Sequence, residues 1–190
     1  FTPHDSPAVL ELYQKLQLMG YRVTIFCAGN TLGKSRQGLE RICKHRRYDL
    51  ILTIETGCLL PVRLTASHRI YVNPDWNAWK WMERRLGEGR ELHEHRGGQI
   101  GALYRYIIDR AEIDMTRDMS QRCNIKKGDT LSLGWFTEDT VEPDGESRLS
   151  QEHIKRFNSC FYIPHLRLDT EEGIRILAGE TDKILKTRED

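Results

Sequence analysis

The sequence predicts an α/β domain with a mostly parallel sheet, and three observations predict it. Leu50, Ile51, Leu52 and Ile54 form a nearly continuous apolar run. It is too short to span a membrane and too continuous for a half-exposed strand, so it reads as a strand buried on both faces. Short β-rich runs alternate with stretches of helical spacing, the pattern of right-handed crossovers over a parallel sheet. At 190 residues the chain is long enough for one domain, 1–190, with a real core.

Composition narrows the function classes. Lys and Arg number 29 against 28 Asp and Glu, a net charge of +1. No global field for nucleic acid exists, and none is expected as a partner. The basic cluster Lys44-His45-Arg46-Arg47 closes a helix, where cations suit the macrodipole; that reading is preferred over a phosphate site. No apolar run reaches ~18 residues, so no transmembrane helix is expected. The five cysteines, Cys27, Cys43, Cys58, Cys123 and Cys160, are scattered without a C-x-x-C pair. Reduced thiols in a cytoplasmic protein are expected, rather than disulfides or zinc. The chain opens on Phe1 rather than methionine and shows no signal-peptide pattern, so residues upstream of Phe1 are expected.

Taken in order, Ser6 to Met19 has helical spacing, with Gly20 as its stop. Arg22 to Phe26 reads as a strand and Ala28 to Gly33 as a loop. Ser35 to His45 reads as a helix presenting Leu39, Ile42 and Cys43 on one face. Asp49 to Ile54 follows as the central strand, then a short helix over Leu59 to Ala66 with Pro61 in its first turn. Arg69 to Val72 is a buried strand ended by Asn73-Pro74. Asp75 to Leu86 reads as a helix carrying Trp76, Trp79 and Trp81, which are expected to pack. Gly87 to Gly98 reads as loop and Gln99 to Cys123 as helix, in one or two pieces. Thr130 to Phe136 is a strand, Val141 to Ser147 a loop, Leu149 to Phe157 a helix, Cys160 to Ile163 a last strand and Thr170 to Lys186 the closing helix. The segment from about 75 to 123 is long for a crossover and could form a helical cap over the open end of the sheet.

A buried strand turning abruptly into a helix is where the Gly-x-Ser-x-Gly elbow of an α/β-hydrolase holds its nucleophile. Thr53-Ile54-Glu55-Thr56-Gly57 occupies that place, with Glu55 where serine would stand. Other stretches follow suit. Phe1-Thr2-Pro3-His4-Asp5-Ser6 is similar to the continuation of a His-Gly-Phe loop, whose own strand would lie upstream. Val72-Asn73-Pro74 matches a strand ending in Asn-Pro. Gly134-Trp135-Phe136-Thr137-Glu138-Asp139 matches Leu-Phe-Gly-x-x-Asp, and Tyr162-Ile163-Pro164-His165-Leu166-Arg167 covers Phe-Pro-Gly-Gly-His. In this order and spacing the chain resembles the small bacterial esterase-like α/β-hydrolases of the YqiA type. The resemblance implies a three-layer α/β-hydrolase-like fold over nearly the whole chain. It does not imply activity, because function resides in the site.

The resemblance places the triad positions at Glu55, Asp139 and either Arg167 or His165. Glu55 is either a lost nucleophile, the preferred reading, or a carboxylate nucleophile. Asp139 is either the family acid or an ordinary turn residue. Counting back from Thr170 favours Arg167 for the histidine position, and arginine cannot act as a general base near neutral pH. Thr56 would offer a backbone N–H to an oxyanion hole. Cys58 begins the following helix, where a thiolate would be stabilised, although an inert buried cysteine is preferred. His93 and His95, with Glu91 and Glu94, superficially suggest ligands. Two residues apart, they are expected to point to opposite faces of a strand and to share no helix face, and the stretch reads as solvated loop, so no metal is expected. No cofactor is expected either.

Three functions remain open: a non-catalytic relative binding a small molecule or protein partner through the old pocket, an active hydrolase using Glu55 or Cys58, and a structural or dimer-forming protein with a filled pocket. In the first, Arg167 would reach between Glu55 and Asp139, pairing a carboxylate that would otherwise be costly to bury.

Overall fold

A computed structural model describes residues 7–26, 31–44, 46–87, 92–96, 103–107, 109–122, 125, 129–134, 155–157, 159–163 and 170–187. The protein is mixed helix and strand, with a parallel sheet. Its elements are α1 (Pro7–Leu18), α2 (Leu32–Cys43), β1 (Tyr48–Ile54), a 3-10 helix (Glu55–Arg63), β2 (Ala66–Val72), α3 (Ala78–Gly87), β3 (Leu92–Arg96), β4 (Leu103–Ile107), α4 (Arg110–Gln121), β5 (Thr130–Gly134), β6 (Ser159–Ile163) and α5 (Glu171–Lys186).

Local chemistry explains where the helices begin and end. Gly20 takes φ +93, and Gly20 N–H and Tyr21 N–H donate to Gln17 O and Leu16 O. That pair of bonds closes α1 as a Schellman motif, and its left-handed residue suits glycine. Thr31 caps α2 by accepting from Lys34 N–H at 3.2 Å. Asp109 caps α4 by accepting from Glu112 N–H at 2.8 Å, and Thr170 caps α5 by accepting from Gly173 N–H at 3.2 Å. In α5, Glu171 and Glu172 fill the first turn and Lys183 and Lys186 the last, matching the macrodipole.

Four strands pair in the order β1-β2-β5-β6, all parallel. Alternation along β2 sends its side chains into two cores. Ile70 and Val72 pack with Leu12 and Leu16 of α1 and Ile174, Leu177 and Ala178 of α5. Tyr71 packs with Leu32 of α2, Cys58 and Leu59 of the 3-10 helix, Trp76, and Met119 of α4. Helices thus lie on both faces of the sheet.

Several sequence expectations are corrected. Asp49 to Ile54 is a strand, but among the described residues it lies at the edge of the sheet rather than its centre. Apolar content predicts burial and does not count neighbours. Arg22 to Phe26 joins no sheet; strand propensity forms no ladder without a partner in reach. α2 begins at Leu32, so Gly33 is helical, and Ile42 is exposed. The helix expected over Leu59 to Ala66 starts at Glu55, directly after β1, and is 3-10; Ala66 already belongs to β2. Asp75 to Asn77 precede α3.

The largest error spans 87–123. The expected loop contains β3 and the expected helix contains β4, paired antiparallel from Leu92↔Ile107 to Arg96↔Leu103. Among the described residues there, only Arg110–Gln121 is helical after α3. Leu103-Tyr104-Arg105-Tyr106-Ile107 holds two tyrosines and an isoleucine, residues favoured in strands, a signal that the helical reading overlooked. His93 and His95 therefore sit on a strand, where positions two apart fall on one face, so the expectation that a strand would point them to opposite faces is wrong. Val141 to Ser147 and most of Leu149 to Phe157 lie outside the described residues.

Candidate functional site

All four parallel strands run to one edge of the sheet. The register Ile54↔Val72, Val72↔Ser132 and Gly134↔Ile163 brings their C-terminal ends together. In open parallel sheets that edge is where ligands bind. Glu55 stands there, first residue of the 3-10 helix and next to Ile54. Its backbone is described; its side chain is outside the described residues. No residue separates strand from helix, whereas the sequence reading put the helix start four residues later, at Leu59.

Thr56 and Cys58 follow Glu55 inward. Thr56 is buried. Cys58 is a thiol outside any disulfide among the described residues, 1% exposed, in the core with Leu59, Tyr71 and Trp76. A thiol so enclosed has no path to a substrate, and the inert reading of Cys58 is the one its packing supports. Asp139, His165 and Arg167 lie outside the described residues. In sequence they follow β5 and β6, whose C-terminal ends reach the same edge as Glu55.

Of three neighbours of this edge, the sequence placed Asn73 at a strand end and Trp76 among packing tryptophans, and gave Asp75 no role in a site. Asn73 follows Val72 as Glu55 follows Ile54, so the two are adjacent at the strand tips. Asn73 has φ +44, a left-handed conformation that asparagine tolerates better than most residues. Asp75, 2% exposed, accepts from Trp81 Nε1–H at 3.1 Å. Trp76 is fully buried, with ring centroids 5.5 Å from Tyr71 and 5.7 Å from Phe157, and its carbonyl accepts from Ser120 Oγ–H. Asn73-Pro74 carried the signal for the left-handed turn; nothing local marked Asp75 as buried.

Glu112 of α4 is the other enclosed carboxylate here, 4% exposed. Its Oε1 accepts from Leu32 N–H at 2.5 Å, at the start of α2. A carboxylate suits the positive end of that helix and satisfies one of its orphan donors. Glu112 thereby ties α4 to the helix that feeds β1.

A cavity of about 760 Å³ lies at the opposite end of the sheet, where β1 and β2 begin. Cys43, Lys44, Arg46, Arg47, Tyr48 and Ser67 are among its lining residues. Burial pushes the Cys43 thiol up, while a hydrogen bond with Tyr48 and the charge of Arg46 pull it back. Lys44 is the C-cap of α2, as the macrodipole reading of the basic cluster requires.

Compared with protein-family models, curated proteins and solved structures, the chain matches none. No helix of the described residues is long and apolar enough to cross a membrane.

Proposed function

We propose that this chain is an α/β-hydrolase-like protein of three layers that lacks serine-hydrolase activity and binds a small molecule or protein partner at the C-terminal edge of its sheet. The observation that carries the reading is the junction at Glu55: a parallel strand passes into a helix with no intervening residue, and glutamate stands where a nucleophile would. The sequential parallel order with helices on both faces supports the three layers. The enclosure of Cys58 favours binding over a thiol-dependent hydrolase.

Arg167 is assigned the pairing role toward Glu55 and Asp139, because its planar fork binds two carboxylates and stays charged. Removing one member of a buried pair costs ~3–5 kcal/mol. Arg167→Ala is therefore expected to destabilise the protein, and Arg167→Ala combined with Glu55→Gln to recover part of the loss.

Short p-nitrophenyl esters test the catalytic half. No turnover above buffer is expected, and no serine is expected to react with a fluorophosphonate. Ester hydrolysis abolished by Glu55→Gln or Cys58→Ala would overturn the proposal. The binding half is read by a thermal-shift screen of small carboxylic acids and their esters. Hits are expected to be lost in Glu55→Gln and retained in Arg46→Ala at the far cavity; the reverse pattern would move the site to that cavity.

A further inference from the structure

We infer that the cavity where β1 and β2 begin is a second binding site, and that it takes a small phosphate monoester. Its walls come from elements that the sheet register sets side by side. Tyr48 and Asp49 open β1 beside Ala66 and Ser67, which open β2. The end of α2 and the Leu64-Thr65 connection complete the lining. The volume of about 760 Å³ is that of a site for a small organic ligand rather than for a bare ion.

Charge is the first observation. Lys44, Arg46 and Arg47 bring three cations to this lining, against the carboxylates of Glu40 and Asp49. Both carboxylates are already engaged: Glu40 Oε1 lies 3.3 Å from Arg36 Nε one turn back in α2, and Asp49 has a partner of its own. Among the described residues, none of the three cations is ion-paired. The macrodipole accounts for Lys44, the C-cap of α2, but it fades within the last turn and does not account for Arg46 and Arg47 beyond the cap. Arg46 N–H donates to the Cys43 carbonyl at 3.0 Å, folding this cationic stretch back against the helix end. Guanidinium groups match phosphate oxygens in a planar, two-pronged fork. Thr65 and Ser67 add hydroxyl donors, and Tyr48, hydrogen-bonded with Cys43, offers an aromatic wall to the organic part.

The second observation lies behind the wall. Arg69 is 2% exposed, two positions along β2 from Ser67 and so on the same face of the sheet. Its Nη1 donates to the Tyr71 hydroxyl at 3.4 Å, its Nη2 donates to the Leu64 carbonyl, and its Nε is buried with no partner. Both acceptors are neutral, and among the described residues no carboxylate offsets this charge. A buried cation without a counter-charge is costly, and water and salt screen it little. Leu64, whose carbonyl it holds, lines the cavity. An anion seated there faces three exposed cations with a sealed one behind them, and supplies the counter-charge the fold lacks. A phosphate monoester carries close to two negative charges and three acceptor oxygens at neutral pH, which suits this surplus better than a carboxylate with one charge and two oxygens.

This site does not depend on what the Glu55 edge binds. Calorimetric titration with phenyl phosphate, inorganic phosphate and benzoate, all at one ionic strength, tests it. Phenyl phosphate is expected to bind one to one and the most tightly of the three. Arg46→Ala and Arg47→Ala, both at exposed positions where folding is not at stake, are each expected to weaken it ~10-fold or more, the loss of a hydrogen bond to a charged group. Arg175→Ala, at an exposed position of α5, and Glu55→Gln are expected to leave it unchanged. Alkylation of Cys43, followed by mass spectrometry, is expected to slow when phenyl phosphate is bound, because Cys43 lines the cavity. The absence of saturable binding would overturn the inference, as would an equal loss in Arg175→Ala or a Cys43 left unprotected. Benzoate or inorganic phosphate binding as tightly as phenyl phosphate would overturn the assignment to a phosphate monoester.

Discussion

β1 and β2 lie side by side with seven residues each, and the less apolar of the two is the better buried. β2 carries His68 and Arg69, and Arg69 is only 2% exposed, its guanidinium donating to the Tyr71 hydroxyl and the Leu64 carbonyl. β1 carries four large aliphatic residues, none of them sealed. Neighbours explain the inversion. A strand flanked on both sides can enclose even a guanidinium when its terminal nitrogens find acceptors, although the Arg69 Nε is left without one. A strand flanked on one side leaves leucine and isoleucine partly in water. Burial is thus a property of position in the sheet, to which sequence contributes a preference.

Leu52 and Ile70 give the most direct way to break this comparison. They are register partners, and both feed the core against α1 and α5. Ile70 is fully buried and Leu52 only partly. Ile70→Ala is expected to cost ~2–5 kcal/mol, the range for a sealed aliphatic side chain, and Leu52→Ala clearly less, since its methyl groups already meet water. Urea denaturation of the two variants in the 190-residue chain measures both. Equal losses would show that the β1 edge is closed in solution, and the comparison would fail.

The strands also end differently, which gives a second, smaller contrast. β1 passes straight into helix at Glu55, whereas β2 stops at Asn73 in the left-handed region. Asparagine holds that conformation at little cost; a β-branched residue does not. Asn73→Val is expected to cost ~1–2 kcal/mol in thermal or urea unfolding, and Asn73→Gly to be nearly neutral. A neutral Asn73→Val would mean that the turn is not fixed by backbone strain.

Legibility followed the same division between local and non-local causes. The helix termini at Gly20 and Thr170, the strand cores at Asp49 to Ile54 and Arg69 to Val72, and the abrupt strand-to-helix passage at Glu55 were readable because nearby residues dictate them. β3 and β4 were not, because each is short and its stability comes from the other, across a gap in sequence. The rank of β1 within the sheet was not legible either, since it depends on which strands lie beside it. Around the candidate site, sequence located Glu55 and the burial of Cys58, but missed Asp75 and Glu112. Their enclosure follows from the packing of α3 and α4, and no local pattern announces it.

The smallest expected effect concerns the run of residues 21–26. Tyr21 anchors its start: the hydroxyl donates to Asp182 Oδ1 of α5 at 2.7 Å, and Lys186 reaches Asp182 Oδ2 at 2.9 Å. The Tyr21 hydrogen bond, followed by that of Lys186, holds the Asp182 carboxyl below its ordinary value. A carboxyl whose pKa is lower folded than unfolded adds stability above the unfolded value, ~3.9 for aspartate, and loses it as pH falls through the folded value. The hydroxyl contributes most while Asp182 is ionised, because bonds to charged groups are the stronger ones. Tyr21→Phe is therefore expected to lower the thermal midpoint slightly at pH 7 and by progressively less as pH drops below about 4. Because Asp182 borders solvent, salt is expected to weaken the Lys186 contribution more than that of Tyr21. Should Tyr21→Phe cost the same at pH 7 and pH 3, the anchor would be the ring against the core rather than the hydroxyl. Residues 21–26 would then be held by packing alone.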